Sequence, residues 1–245
     1  MNYDIRGSVS RLLSNAASML DGAEGRLRIG RYGEVKVGGG VLGSNSLATE
    51  GSYWTGSNPA VGTGIAATTS LTALVAASPT LILQNNDVAG GKNIIFDYLK
   101  IQVTSVPTTS SDWRYAVLTD TIRRGSSAGS TIVPANANAG VGAGGTIAQL
   151  FFGALVAATA NASRIITSGV LRSVIPVVLD QYTFKAGSDN NGASGALQNG
   201  TAPLVMGVNV PPIVLTPQTS MLFYMYGTAN AAAPTFEFSA GWAER

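Results

Sequence analysis

The first clear pattern in the chain is helical and lies near its N-terminus. Apolar side chains recur at three- and four-residue spacing over residues 5–20, which predicts an amphipathic helix. The apolar stripe consists of Ile5, Val9, Leu12, Leu13, Ala16, Met19 and Leu20. Asp21 and Gly22 follow it and predict the helix end, because glycine readily adopts the left-handed conformation found there. Two roles stay open for the stripe: packing on its own domain, or docking on a neighbouring subunit.

Glycines punctuate the next segment, residues 23–43. Its aliphatic residues are Leu27, Ile29, Val35, Val37 and Val41. Such a pattern is typical of a short hairpin, an extended arm or a flexible linker. We therefore expect residues 1–43 to form an N-terminal helix and extended arm. Residues 44–80 are rich in small side chains, with Tyr53 and Trp54 as large anchors, and predict surface segments with one or two short strands.

From residue 81 onwards the apolar positions favour β-strands. The predicted strands are residues 81–86, 93–103, 113–122, 164–179, 181–185, 204–210 and 213–215. Residues 147–158 fit a short helix or a buried strand, since periodicity does not decide over so short a run. Residues 125–146 predict a long loop, which is uncommon unless it binds something or is covered. Residues 221–226 and 235–242 predict a closing hairpin.

Several strands separated by turn signals predict a mainly β fold for residues 44–245. We expect an antiparallel β-sandwich, with a jelly roll as its specific form. The spacing of the strands is too irregular for a propeller or a solenoid, and the chain contains no internal repeat.

Composition restricts the function that such a fold performs. The chain contains neither Cys nor His, so it lacks a thiol nucleophile, an imidazole base and soft metal ligands. Only 11% of its residues are charged, which leaves little to keep a free surface soluble. We therefore expect a non-enzymatic protein without cofactor or metal, whose surface is covered by copies of itself or by a partner.

Charge and hydropathy narrow the class of partner. Fifteen basic residues face 13 acidic ones, and the most basic stretch, residues 6–36, also carries acidic residues. This pattern lacks the clustered basic stripe of a nucleic-acid binder. The longest apolar stretch, residues 147–160, is too short and too interrupted to span a bilayer. The first residues lack the apolar core of a signal peptide. Neither a membrane nor a nucleic acid is therefore predicted as a partner.

Two motifs have a chemical and a structural interpretation. Residues 140–145 match the glycine pattern of dinucleotide sites, but no strand is predicted before them and no acidic residue follows at the required distance. We interpret them as a flexible loop. Loop carboxylates at Asp87 and Asp189 are candidate Ca²⁺ ligands, or they form turns through their own hydrogen bonds.

The remaining carboxylates are scattered along the predicted strands. They are Asp97, Asp112, Asp120, Asp180 and Glu237. A glycosidase needs two facing carboxylates, and strands distant in sequence can supply them. A carbohydrate-active enzyme therefore stays open as a lesser alternative.

Several stretches resemble virion proteins of tailed bacteriophages. They are Tyr53-Trp54 with Asn58-Pro59 and 62–65, then 90–92 with 96–99, and the closing segment 211–245. The resemblance extends over roughly two thirds of the chain, and it lies in the general residue pattern more than in a strict motif. It implies a capsid decoration (cement) protein or a head-tail accessory protein in the virion, assembling as a homotrimer on the major capsid protein or other virion proteins. It implies no catalytic residues.

The expected contact residues come from the helix stripe and from large aromatic side chains. They are Ile5, Val9, Leu12, Leu13, Met19, Leu20, Tyr53, Trp54 and Trp242. The main alternative is a tail or receptor-binding protein that contacts host glycan through exposed aromatic residues and loops. A DNA-packaging component is a further alternative, which would show steeply salt-dependent DNA binding.

Overall fold

The computed structural model describes residues 28–29, 35–36, 44–67, 73–106, 112–142, 145–187, 202–227 and 233–245. The chain divides into two compact units, Met1–Leu42 and Gly43–Arg245. This boundary adjoins the one expected from the sequence.

In the first unit, β1 (Arg28–Ile29) pairs antiparallel with β2 (Val35–Lys36). A hairpin is one of the structures predicted for residues 23–43, and this pair confirms it at these positions. The amphipathic helix predicted over residues 5–20 lies outside the described residues.

The second unit contains two β-sheets that face each other. The first sheet has six strands, and every neighbouring pair in it is antiparallel. Its strand order is β11 (Arg164–Arg172), β7 (Trp113–Asp120), β15 (Ser220–Tyr226), β5 (Leu81–Asn85), β10 (Ala148–Phe152) and β8 (Ser130–Ile132).

The second sheet has eight strands. Six follow the order β13 (Val205–Val210), β12 (Gln181–Ala186), β6 (Ile94–Ser105), β16 (Thr235–Glu244), β3 (Tyr53–Ser57) and β9 (Ala135–Asn136). In addition β14 (Ile213–Leu215) pairs with β6, and β4 (Ile65–Ala66) pairs with β16.

One pair in this second sheet is parallel. Strands β12 and β13 run in the same direction, with Gln181 opposite Val205 and Ala186 opposite Val210. The expectation of a purely antiparallel sandwich is therefore wrong at this pair. The connection between the two strands is long enough to return the chain to the same end of the sheet, as a parallel pair requires.

Alternating side chains from both sheets fill one core between them. Aromatic contacts join the two sheets across this core. Phe152 stacks on Phe238 with ring centroids 4.0 Å apart. Phe184 contacts Tyr115 at 5.1 Å and Phe223 at 4.7 Å. Such aromatic pairs prefer particular ring orientations, and they stabilise the core beyond the contribution of their buried area.

A bulge in the pairing of β6 with β16 changes which side chains face this core. Phe96 and Leu99 are both buried although they lie an odd number of positions apart. The register shifts between Gly241 and Trp242, which changes the alternation of β6 at Asp97. Strict alternation along β6 would place Phe96 on the face opposite Leu99, and the bulge instead brings both side chains to the core.

The six-stranded sheet is also covered on its outer face. A second apolar cluster lies there, formed by Ile82, Leu118, Leu222 and Tyr224 and covered by Leu155 of the loop after β10. The central strands of this sheet are therefore buried on both faces, and that is why β15 is apolar at nearly every position rather than at alternate ones.

The predicted strands from residue 81 onwards are present, except that the strand predicted over 164–179 ends at Arg172. Two further predictions are wrong. The last two strands, β15 and β16, belong to opposite sheets and form no closing hairpin. The long loop predicted over 125–146 contains the short strands β8 and β9. Residues 148–152 form a strand, which decides between the short helix and the buried strand predicted for residues 147–158. The short helix α1 (Ser44–Thr49) was not predicted from the sequence.

A glycine in β3 allows the two sheets to approach each other closely. A methyl group on Gly56 would overlap Cδ2 of Leu150 in the opposite sheet. We expect Gly56→Ala to lower the free energy of unfolding by about 1–3 kcal/mol, because the extra methyl overpacks the core. The matched control is Gly142→Ala, since a methyl there contacts nothing within 4 Å. Urea denaturation of both variants checks this, and equal stabilities would contradict it.

Candidate interaction surface

The two sides of the sandwich differ in the length of their edge strands. On one side the edges are the short strands β8 and β9; on the other they are β11, with nine residues, and β13, with six. Strands β11 and β13 contact each other across the two sheets. We call β11, β13, β14 and the 173–180 connection the long-edge side. Long exposed edges offer N–H and C=O groups to another chain, and natural proteins usually cover or shorten them.

Exposed apolar side chains concentrate on this side. Half of the exposed large apolar side chains of the described residues lie here. They are Ile165, Val170, Val178, Leu179, Val205 and Val214. A patch of this kind marks an interaction site more often than single scattered apolar residues do.

A buried ion pair fixes this side from within. Nη1 of Arg172 at the end of β11 lies 2.7 Å from Oδ1 of Asp180, and both side chains are fully buried. Asp180 also accepts hydrogen bonds from the backbone N–H groups of Leu204 (2.7 Å) and Val177 (2.8 Å) and from the Tyr182 hydroxyl (3.1 Å). One carboxylate therefore joins the end of β11, the start of β12 and the start of β13.

The environment of this carboxylate also affects its neighbour. Burial, together with the nearby negative charge of Asp180, raises the pKa of the Tyr182 hydroxyl above its ordinary value. The hydroxyl therefore stays protonated and acts as a hydrogen-bond donor. Its role here is structural.

Beside this ion pair lies a turn with an unusual backbone. The N–H of Asp180 donates to the carbonyl of Val177 at 2.9 Å, closing a turn with Val178 and Leu179 at its centre. Leu179 has φ = 76°, in the left-handed region. This turn position normally carries glycine or asparagine, because a Cβ there is strained. Leucine is therefore unexpected at this position. The Leu179 side chain is also 56% exposed.

A cleft opens at the other end of the long-edge side. It encloses about 320 Å³ between β7 and β11 of one sheet and β14 of the other. Its lining includes Thr119, Arg164, Ile166, Pro212 and Val214. The cleft thus combines the Arg164 guanidinium and the Asp120 carboxylate with hydroxyl and apolar groups, a surface suited to a small polar group.

A second buried ion pair lies next to the cleft. Nη1 of Arg124 lies 2.9 Å from Oδ2 of Asp120, with both side chains almost fully buried. Burial alone would raise the pKa of Asp120, but hydrogen bonds from Ser163, the Ala162 N–H, Arg124 and the Asn161 N–H outweigh it and lower that pKa to about 2. Arg124 also donates to the carbonyls of Ala76 and Ala158, so the pair ties the outer loops to the sheet.

The aromatic residues expected to contact a partner lie inside the body instead. Trp54 is 2% exposed and Trp242 is fully buried, while Tyr53 is buried with its hydroxyl donating to Asp97 at 2.6 Å. Their own chain covers these side chains, so the expectation that they are surface contacts is wrong. The six helix residues expected with them lie outside the described residues. They are Ile5, Val9, Leu12, Leu13, Met19 and Leu20.

The other predicted motifs also have structural partners. Asp87 accepts from the N–H groups of Val88 and Lys92, which fits the turn-forming interpretation, while Asp189 lies outside the described residues. Asp112 pairs with Arg114, and Glu237 accepts from the N–H of Gly62. No group of three potential ligands for a metal ion lies together among the residues that the structure describes.

The structure also bears on the glycine motif, on sugar binding by aromatic residues and on membrane-spanning helices. Strand β10, rather than a helix, follows residues 140–145, so the local structure differs from that of a dinucleotide site. Within the described part of the chain the most accessible aromatic residues, Tyr98 and Tyr226, are half-buried, and the other aromatic residues are buried. No helix in that part is long and apolar enough to cross a bilayer.

Sequence reasoning missed the residues that define the long-edge side. It recognised 164–179 as a β-branched run and 204–210 as a strand, but alternation along one strand does not reveal which strands form the edges of a sheet. The one available signal was the low charge of both strands, since β13 carries no charged residue and β11 carries only Arg164 and Arg172 at its two ends.

Comparisons with protein-family models, with curated proteins and with solved structures found no match to this chain.

Proposed function

We propose that this chain is a non-enzymatic structural protein of a bacteriophage virion, and that it decorates and stabilises the capsid lattice as a homotrimer. The observation that carries this proposal is the long-edge side, where two long edge strands and clustered apolar side chains lie together. A surface of this kind gains stability when another protein surface covers it.

Composition and the resemblance to tailed-phage virion proteins support the same role. The chain lacks Cys and His, and its buried carboxylates Asp120 and Asp180 are occupied by arginine partners. We propose a jelly-roll-like arrangement for the body, because successive strands such as β5, β6 and β7 alternate between the two sheets. Residues 1–43 are proposed to act as an arm that holds neighbouring subunits.

Deletion of residues 1–43 tests the role of the arm. We expect the truncated chain to lose attachment to capsids or trimer formation, because the arm contributes contacts that the body lacks. The body forms a compact unit by itself, so its fold is expected to persist. The measurement is co-sedimentation with purified particles, beside the full chain. A truncated chain that assembles and attaches like the full chain would contradict this role.

A second candidate is a tail or receptor-binding protein that contacts host glycan. The cleft beside Arg164 favours it, since the guanidinium, the Asp120 carboxylate and the nearby hydroxyl groups can hydrogen-bond the hydroxyl groups of a sugar. Quantitative mass spectrometry of purified particles distinguishes the two. A copy number that scales with the capsid lattice supports decoration, and one that matches a single tail supports the alternative.

A further inference from the structure

We propose that the cleft between β7, β11 and β14 binds one neutral sugar residue, with Arg164 as its main hydrogen-bond donor. The apolar floor of the cleft contacts the CH groups of the sugar ring, and the polar rim contacts its hydroxyl groups. This inference goes beyond the decoration role and does not depend on it. It adds to the tail alternative the class of sugar and the orientation of the ring.

The cleft is a gap between the two sheets at one end of the core. Ile213 and Leu215 of β14 are buried in that core, and Ile166 of β11 packs against it. All three residues line the cleft, so its floor is apolar. Its volume of about 320 Å³ lies at the lower end of the range of ligand pockets, about 300–1,000 Å³. The cleft therefore has the size for one small ligand.

The rim of the cleft carries polar side chains from both sheets. Arg164 lies opposite Thr119 in the register of β11 with β7, so the two side chains share one face of the sheet. Thr216, directly after β14, lies on the other wall. Within the described residues none of these three side chains has a hydrogen-bond or ion-pair partner. Their donors and acceptors are therefore available to a ligand.

Hydrogen bonds fix the wall that carries Arg164. The Asp120 carboxylate accepts from the N–H of Ala162 at 3.1 Å and from the hydroxyl of Ser163 at 2.7 Å. These two residues directly precede Arg164, so the start of β11 is held against the end of β7. The backbone that presents the guanidinium is therefore in place before a ligand binds.

The opposite wall is a turn with an unusual backbone. The hydroxyl of Thr219 donates to the carbonyl of Thr216 at 2.7 Å. Between them Gln218 has φ = 68°, in the left-handed region, and its N–H donates to the carbonyl of Asn85 at 3.0 Å. Backbone outliers of this kind cluster at ligand sites. Two fixed walls reduce the conformational entropy that is lost on binding.

The charges in the lining favour a neutral ligand. A cation would meet the Arg164 guanidinium, and an anion would meet the Asp120 carboxylate. A sugar hydroxyl carries no charge and both donates and accepts hydrogen bonds. It can accept from Arg164 and exchange either kind of bond with the threonine hydroxyls.

The apolar floor distinguishes a sugar ring from other neutral polar ligands. The CH groups of a pyranose form an apolar face, and its hydroxyl groups lie round the edge of the ring. A ring that lies on Ile166, Ile213 and Leu215 removes apolar surface from water on both sides of the contact. Its edge then faces Arg164 and Thr119. A small polar molecule without such a face gains only the hydrogen bonds.

Methyl NMR of the full chain tests this inference with glucose, galactose, mannose and N-acetylglucosamine as probes. We expect at least one of them to shift the methyl signals of Ile166, Ile213 and Leu215, with a dissociation constant on the order of 1–10 mM. Arg164→Ala should raise that constant at least about tenfold, because a charged donor is lost. The matched control is Arg123→Ala, an exposed arginine outside the lining, which should bind like the wild type.

Thr119→Val provides a second variant that keeps the shape of the side chain. The Thr119 hydroxyl has no partner within the described residues, so its removal should leave the thermal midpoint within about 4 °C of the wild type. Sugar binding should nevertheless weaken by about threefold or more, because the ligand loses one hydrogen bond. Unchanged binding by both Thr119→Val and Arg164→Ala would place the sugar outside this cleft and overturn the inference.

The remaining outcomes also decide. Absence of methyl shifts with all four sugars overturns the inference, and so does binding of glucuronate without binding of any neutral sugar. A chain that occurs on virions at the copy number of the capsid lattice and binds no sugar keeps the proposed function and loses the inference. A chain that is absent from virions but binds a neutral sugar through Arg164 supports the inference and refutes the proposed function.

Discussion

Replacing Asp180 with asparagine is expected to lower the free energy of unfolding of the body by about 3–5 kcal/mol. The reason is that the guanidinium of Arg172 stays fully buried while its compensating charge is lost. The backbone N–H groups of Leu204 and Val177 also lose a charged acceptor, which was 2.7 Å and 2.8 Å away. Denaturation by guanidinium chloride measures the change.

The matched control is Glu50→Gln, which removes the negative charge of a partly exposed ion pair with Arg245. Exposed pairs contribute about 0–1 kcal/mol, so this variant should unfold close to the wild type. If both variants lose the same small amount, the Arg172–Asp180 pair does not hold the three strands together.

The second large effect is the contribution of Asp120 to the free energy of unfolding, which is expected to depend on pH. Its pKa in the folded protein is about 2, below the ordinary 3.8. A lowered folded-state pKa means that the stabilisation is fully present above the ordinary value and is lost as the pH falls from about 4 towards 2. At neutral pH, Asp120→Asn leaves Arg124 buried without its partner and should cost about 3–5 kcal/mol.

The measurement is the urea midpoint of the wild type and of Asp120→Asn between pH 7 and pH 2. The difference between the two proteins should be largest at neutral pH and should shrink below pH 4. Other carboxylates affect both proteins alike, so only this difference reports on Asp120. A difference that stays constant down to pH 2 would show that the carboxylate titrates normally in the folded state.

Much of the second unit was predictable from local pattern. Residues 81–86 and 93–103 alternate or form short apolar runs, and both lie in strands as expected. The pairing of strands was less accessible, because it depends on contacts between distant segments. Strands β15 and β16 are consecutive and read as a hairpin, yet each finds its partners in a different sheet.

The site was harder to predict than the strands. Trp54 and Trp242 are large and aromatic, which suits a core as well as an interface, and only their position between the sheets decides for the core. Leu179 lies in a β-branched run that predicts a continuous strand, and nothing in its neighbours signals a left-handed turn. The Arg172–Asp180 pair likewise becomes visible only when β11, β12 and β13 are brought together.

The central claim is the proposal that this chain functions by being covered, with its long-edge side buried against another protein surface in a virion. Electron cryo-microscopy of the intact particle, with this subunit located in the map, tests that claim most directly. The account predicts that the exposed apolar side chains of the long-edge side are buried against a neighbouring subunit. A subunit whose long-edge side faces open solvent, or a particle that lacks the chain altogether, would contradict it.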